Sequence, residues 1–237
     1  FCTLLQHFKN IESHFIDCVA GSCHALIMYH LHHLTHDRAT TAYQLDAARD
    51  ILRQKNVTIN CGDAAAKAEE IRQYFHSTYE VYEKVFECVN SDEAFTIPPV
   101  HRLRHPLIFY YGHTATFYMN KLVVAGLTTR INPRFEEMFA VGVDEMSWDD
   151  LNEAHYSWPT VQEVSEYRLQ VRDRIDQLFR EGKFELSLPL TFASSTQTDS
   201  NSFFWAVLMG IEHERIHLET ASVHVRELPL RLVKEEM

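Results

Sequence analysis

The chain has 237 residues, room for one large domain or for a domain with an extension. A formal net charge of −11 excludes a nucleic-acid binder that depends on a basic face. With 46% hydrophobic residues and only seven Gly and seven Pro, the composition disfavours a turn-rich sheet protein and predicts an all-α fold with a substantial core. Five cysteines (Cys2, Cys18, Cys23, Cys61, Cys88), scattered and without C-x-x-C spacing, read as reduced thiols of a cytoplasmic protein rather than a disulfide framework. No apolar run reaches the roughly 18 residues of a membrane span; the closest, Phe15 to Leu31, is broken by Asp17 and His24. The absence of an initiator Met before Phe1 leaves room for a processed or partial product.

Residues 1–60 form a helical N-terminal extension in this reading. They hold His7, His14, His24, His30, His32, His33 and His36, as solvated side chains or as a metal-buffering tract, and a short amphipathic helix over 41–56. Residues 61–237 form the main domain. Asp63 is a candidate N-cap before Ala64-Ala65-Ala66. Ile71, Tyr74, Phe75, Thr78, Val81, Tyr82, Val85, Phe86 and Val89 then recur at three- and four-residue steps, a helix of about seven turns. A loop over 91–104 leads to a second long helix, 106–126, apolar nearly all round and therefore expected in the middle of a bundle. Pro106 fits its first turn and Gly126 its C′ position. The connection 127–159 carries two short helical candidates, 134–140 and 148–154, the latter with a weak capping box at Ser147 and Asp150. Thr160 with Glu163 is a stronger box and opens a third long helix ending near Gly182. After a second connection, 186–198, a last long helix runs from about Asp199 to about Arg226. Four long helices with long connections and no strand period predict a four-helix bundle.

The chemistry centres on Gly210-Ile211-Glu212-His213-Glu214-Arg215-Ile216-His217-Leu218-Glu219. Positions four apart on a helix are stacked on one face, so His213 and His217 can aim two imidazoles at one point. A third ligand is expected from His113, in the apolar helix, where an imidazole costs desolvation unless it finds a partner. Gly112 beside it lets another helix approach closely. Three neutral His suit Fe, Zn, Cu or Ni and leave open positions on the metal. Glu212, Glu214 and Glu219 read as surface carboxylates, with Glu212 or Glu219 as candidates to orient a ligand imidazole. Arg215 is expected to pair with Glu212 or Glu219. The string is also H-E-x-x-H, so a zinc peptidase with Glu214 as general base and Glu235 or Glu236 as third ligand is a further reading. The missing HxxGxxH extension and the missing strand beside the helix weigh against it.

Several strings carry a family resemblance: Arg104-His105-Pro106-Leu107, Gly112-His113-Thr114-Ala115-Thr116, Arg130-Ile131-Asn132-Pro133-Arg134-Phe135, Val143-Asp144-Glu145-Met146-Ser147-Trp148-Asp149-Asp150, and Glu212 to Glu219. Together, over roughly 63–229, they resemble the N-terminal DinB-like domain of the nonheme-iron sulfoxide synthases. His155-Tyr156-Ser157-Trp158-Pro159 is most similar to the ovothiol-forming branch, the 5-histidylcysteine sulfoxide synthases, and less so to the ergothioneine-forming one. The resemblance implies a DinB-like four-helix bundle with Fe(II) held by His113 of the G-H-T motif and by His213 and His217 of the H-x-x-x-H motif. It implies an enzyme that uses O2 to join cysteine sulfur to the imidazole of histidine as a sulfoxide. The family continues into a formylglycine-generating-enzyme-like domain that supplies much of the substrate pocket and a catalytic tyrosine. That half has no counterpart in these 237 residues, and no tyrosine here matches its motif. A non-catalytic DinB-like metal-binding or interaction module is the alternative function.

Overall fold

Three of the four long helices begin at a local signal in the sequence: Asp63, Pro106 and Thr160. The structure, a computed structural model, describes residues 57–101, 104–140, 157–191 and 200–234. Helix α1 spans Ala64–Glu87; the Asp63 carboxylate accepts from the Ala66 amide at 2.8 Å and satisfies one of the free donors of the first turn. Its apolar stripe, including Ile71, Tyr74, Phe75, Tyr79 and Tyr82, is buried. The expected loop after it contains a one-turn helix, α2, Glu93–Thr96. Ala94 and Phe95 are buried there, with the Phe95 ring stacked 5.8 Å from that of Phe86. One turn is too short to show a period, so the sequence reads as loop.

Helix α3 spans Leu107–Val124 and buries every residue from Leu107 to Thr116. Pro106 is its N-cap rather than part of its first turn, and Gly126, at φ +69°, provides the left-handed C′ residue. Helix α4, Pro133–Met138, starts one residue before the expected position because the Asn132 side chain caps it, accepting from the Phe135 amide at 3.2 Å. Helix α5, Val161–Arg180, opens on the full capping box of Thr160 and Glu163. Helix α6 spans Ser200–Glu227, and a 3-10 turn, Leu230–Leu232, follows. The chain after α6 is tied to the end of α1 by the Lys234 amide donating to the Cys88 carbonyl at 2.8 Å and by an isolated antiparallel bridge between Val89 and Val233.

The fold is all-α: among the described residues there is no β-strand beyond that bridge. Helix α3 packs on both α5 and α6, and α1 packs mainly on α6. The apolar helix thus occupies the centre that its composition predicts. No described helix is long and apolar enough to cross a membrane. Residues 1–56 of the expected 1–60 extension, the candidate helix 148–154 with its Ser147–Asp150 box, and the carboxylates of Glu235 and Glu236 lie outside the described residues.

Two glycines admit aromatic rings rather than whole helices. A Cβ on Gly112 would stand 2.5 Å from the Phe139 ring, and one on Gly210 would stand 2.1 Å from the Tyr118 ring. Tyr118 is fully buried and crosses from α3 to α6 through the gap at Gly210. Adding a methyl group to such a contact forces neighbours off their rotamers. Gly210→Ala is expected to destabilise the fold by about 1–3 kcal/mol, measured by urea unfolding, although alanine is the better helix former. An unchanged or raised midpoint would contradict this packing.

Candidate metal centre

Helices α3 and α6 bring His113, His213 and His217 together, one candidate ligand atom from each lying within 4.8 Å of the others. The ring centroids are 4.9 Å apart for His113–His213, 4.7 Å for His113–His217 and 4.5 Å for His213–His217. The two positions on α6 share a face because they are four residues apart. His113 reaches them from the buried helix.

Two of the rings are oriented by their other nitrogen. His113 Nδ1 lies 2.6 Å from the Phe139 carbonyl, so Nδ1 carries the proton and Nε2 keeps its lone pair. His217 Nδ1 lies 3.2 Å from Thr220 Oγ1. The Thr220 hydroxyl donates to the His217 carbonyl, so its oxygen is left to accept from Nδ1–H. Both rings therefore present Nε2 as a donor atom to a metal. His213 lies flat on the Phe117 ring, 3.8 Å between centroids and 9° between planes, and its buried Nδ1 has no hydrogen-bond partner among the described residues. A buried polar atom without a partner is uncommon and calls for a missing group.

Burial is the first cause of all three pKa shifts. It lowers His113 to about 4 and His217 to about 3, and it holds His213 well below the ordinary imidazole value. The neighbouring imidazoles depress His213 and His217 further, because two charged rings cannot share the space. At neutral pH the cluster is three neutral imidazoles, the protonation state that ligates a metal. The donor set, its neutrality and the orphaned nitrogen of His213 all fit a borderline transition metal.

The carboxylates expected at the surface behave otherwise. Glu214 is fully buried, a correction to its reading as a solvated side chain. It accepts from Thr114 Oγ1 at 3.1 Å, from the Tyr118 hydroxyl at 3.0 Å and from Arg168 Nη2 at 3.1 Å. Burial pushes its pKa up, while Arg168 and the two hydroxyls pull it down. Glu212 accepts from the Tyr74 hydroxyl at 3.0 Å, and the guanidinium of Arg215 stands 5.2 Å over the same Tyr74 ring and donates to Thr78. The groups that orient two of the candidate imidazoles, His113 and His217, are thus the Phe139 carbonyl and Thr220, where Glu212 or Glu219 was expected. A general-base role for Glu214 is excluded by its engagement with α3 and α5, which removes the peptidase reading its central residue.

Sequence reading missed Arg168. It is 1% exposed and donates to Glu83, the Tyr111 carbonyl, Thr114 and Glu214. The signal was available: Arg168 sits on the stripe of Val164, Tyr167, Val171 and Ile175, where a charge needs a buried partner.

The histidine shifts fix a pH dependence. A histidine that stays neutral when folded binds its proton first in the unfolded chain. Stability is therefore full above the unfolded pKa of about 6.5 and is lost as pH falls toward 4. The metal-free chain is expected to lose thermal stability steadily between pH 6.5 and 4. In His113→Phe/His217→Phe that slope should flatten; an equal slope in both proteins would mean that other groups set it.

Residues 74–221, more than half of the chain, match the model of the DinB superfamily. A stretch of 125 residues, 50% of the chain, is 30% identical to ergothioneine biosynthesis protein 1 of Neurospora crassa. The match spans 13% of the length of that relative. With its all-α architecture and the extent of the family match, the chain belongs to the DinB superfamily.

Proposed function

We propose that this chain is the Fe(II)-binding domain of a sulfoxide synthase that uses O2 to join cysteine sulfur to the imidazole of histidine, of the ovothiol-forming type. The observation that carries the reading is the cluster of three neutral histidines from two helices, His113, His213 and His217. The similarity to a protein named for ergothioneine biosynthesis supports the sulfoxide-synthase class. The string His155-Tyr156-Ser157-Trp158-Pro159 supports the ovothiol branch within it.

In this reading His113, His213 and His217 hold the metal through three neutral donors. They leave it its full positive charge and leave coordination positions for substrate. Bound Fe(II) supplies the redox chemistry with O2 that the side chains cannot. The protein holds the protons at Nδ1 of His113 and His217, on the Phe139 carbonyl and Thr220, so that the ligand nitrogens stay unprotonated. The Phe109 ring stacks on His113 and the Phe117 ring on His213, which gives two of the imidazoles an apolar face. Cysteine, histidine and O2 are the substrates. A formylglycine-generating-enzyme-like half supplies the remaining pocket, so turnover is expected only when that half is joined to this chain.

The first test is iron content after anaerobic loading. The chain should take up about one Fe(II), and His113→Ala should lose it. Equal iron in both proteins would make His113 a core residue and defeat the three-histidine site. Product analysis with cysteine, histidine and O2, in a protein that includes the formylglycine-generating-enzyme-like half, then tests the reaction. Iron without sulfoxide product would leave a metal-binding module.

A further inference from the structure

Resting on the metal reading, we infer that the buried Arg168–Glu214–Thr114 network is the positioning element of the metal centre, holding its histidine-bearing helices in one relative rotation and register. Thr114 directly follows His113, and Glu214 directly follows His213. These two residues bond each other across the α3–α6 contact at 3.1 Å. Arg168 closes the triangle from α5, donating to Thr114 Oγ1 at 2.8 Å and to Glu214 at 3.1 Å. The Tyr118 ring, passing over Gly210, brings a second α3 donor to the other oxygen of Glu214 at 3.0 Å.

Successive residues on a helix are about 100° apart. Turning α6 about its axis therefore moves Glu214 and the two histidines together. Glu214 is held by three donors from two helices, so the direction of His213 and His217 is set from behind. The same holds for α3, where Thr114 is pinned one residue beyond His113. No bond of the network touches an imidazole, so these are positioning residues and not ligands.

The test uses the full 237-residue chain with Co(II) as the probe. Arg168→Met/Glu214→Leu removes both charges of the buried pair together; Glu83, which also loses Arg168, is part-exposed to water and keeps the hydrogen bond from the Tyr111 hydroxyl, which favours folding. Circular dichroism and melting temperature report the fold. Competition titration reports Co(II) affinity, and the visible d–d bands report its geometry. In the metal-free protein, ring nitrogen chemical shifts report the three imidazoles directly. The double variant is expected to keep helical content, to bind Co(II) about 10–100-fold more weakly, and to show altered d–d bands and shifted ring resonances. Ile175→Val, a fully buried change elsewhere on α5, should lower the melting temperature with Co(II) affinity and bands unchanged. Thr114→Val, which loses one hydroxyl at constant shape, serves as the second variant and should move the same signals in the same direction. A folded variant with wild-type affinity, bands and ring shifts would overturn the inference and leave the network a purely structural one. A wild-type chain that takes up no Co(II), with ring shifts that still move in the variants, would defeat the metal reading and spare the positioning role.

Discussion

The bundle depends on one buried ion pair, Arg168 with Glu214, at the point where all four long helices meet. Helix α1 contributes Glu83, α3 contributes Thr114, α5 contributes Arg168 and α6 contributes Glu214. Taking two charges out of water costs several kcal/mol per ion before any compensation. The compensation here is unusually complete. The guanidinium has two carboxylates, a carbonyl and a hydroxyl as acceptors, and it lies 4.4 Å from the Tyr79 centroid and 5.0 Å from those of Tyr82 and Tyr111. An apolar core tolerates sliding by one ridge; a buried network of directed hydrogen bonds does not. The pair therefore contributes specificity of arrangement more than net stability.

That arrangement divides α6 into two chemically opposite faces. One carries Glu214 into a charged, hydrogen-bonded interior. The other carries His213 against the Phe117 ring and His217 beside the Tyr110 ring, where burial strips the imidazoles of their protons. Charge on the first face is paired; neutrality on the second is enforced by desolvation and by the crowding of three rings. Such a set could hold a cation, because it offers lone pairs and no proton. Helix α3 repeats the division in adjacent residues, with His113 on the ligand side and Thr114 on the network side.

Much of this was legible in the sequence, and the physical reason is periodicity. The long helices α1, α3, α5 and α6 run for many turns, so their stripes and caps could be read from Asp63, Gly126 and the Thr160–Glu163 box. The histidine spacing on α6 is a property of the helix repeat, and His113 stood out as a polar residue in an apolar helix. Features that depend on contacts between distant elements were not legible. The one-turn α2 has no period. The Phe139 carbonyl and Thr220 orient imidazoles through backbone and hydroxyl oxygens that no sequence pattern marks. Glu214 was read by its residue type as solvated, although it falls on the stripe of Val207, Ile211, Leu218 and Ala221, all buried or lining the core.

The same helix repeat explains why an H-E-x-x-H string here does not imply a peptidase. Two histidines four apart face one metal in any helix, and the glutamate between them lies about 100° round the axis from the first. Where a helix borders an open cleft, that direction can meet a substrate-side water. In this bundle it meets the interior between α3 and α5, and a carboxylate there has to be paired to be buried at all. Arg168 supplies the charge, and Thr114 and Tyr118 the hydrogen bonds. The glutamate is thereby withdrawn from acid–base chemistry and given to geometry. What remains on the metal side is a set of neutral nitrogen donors with no carboxylate against it among the described residues.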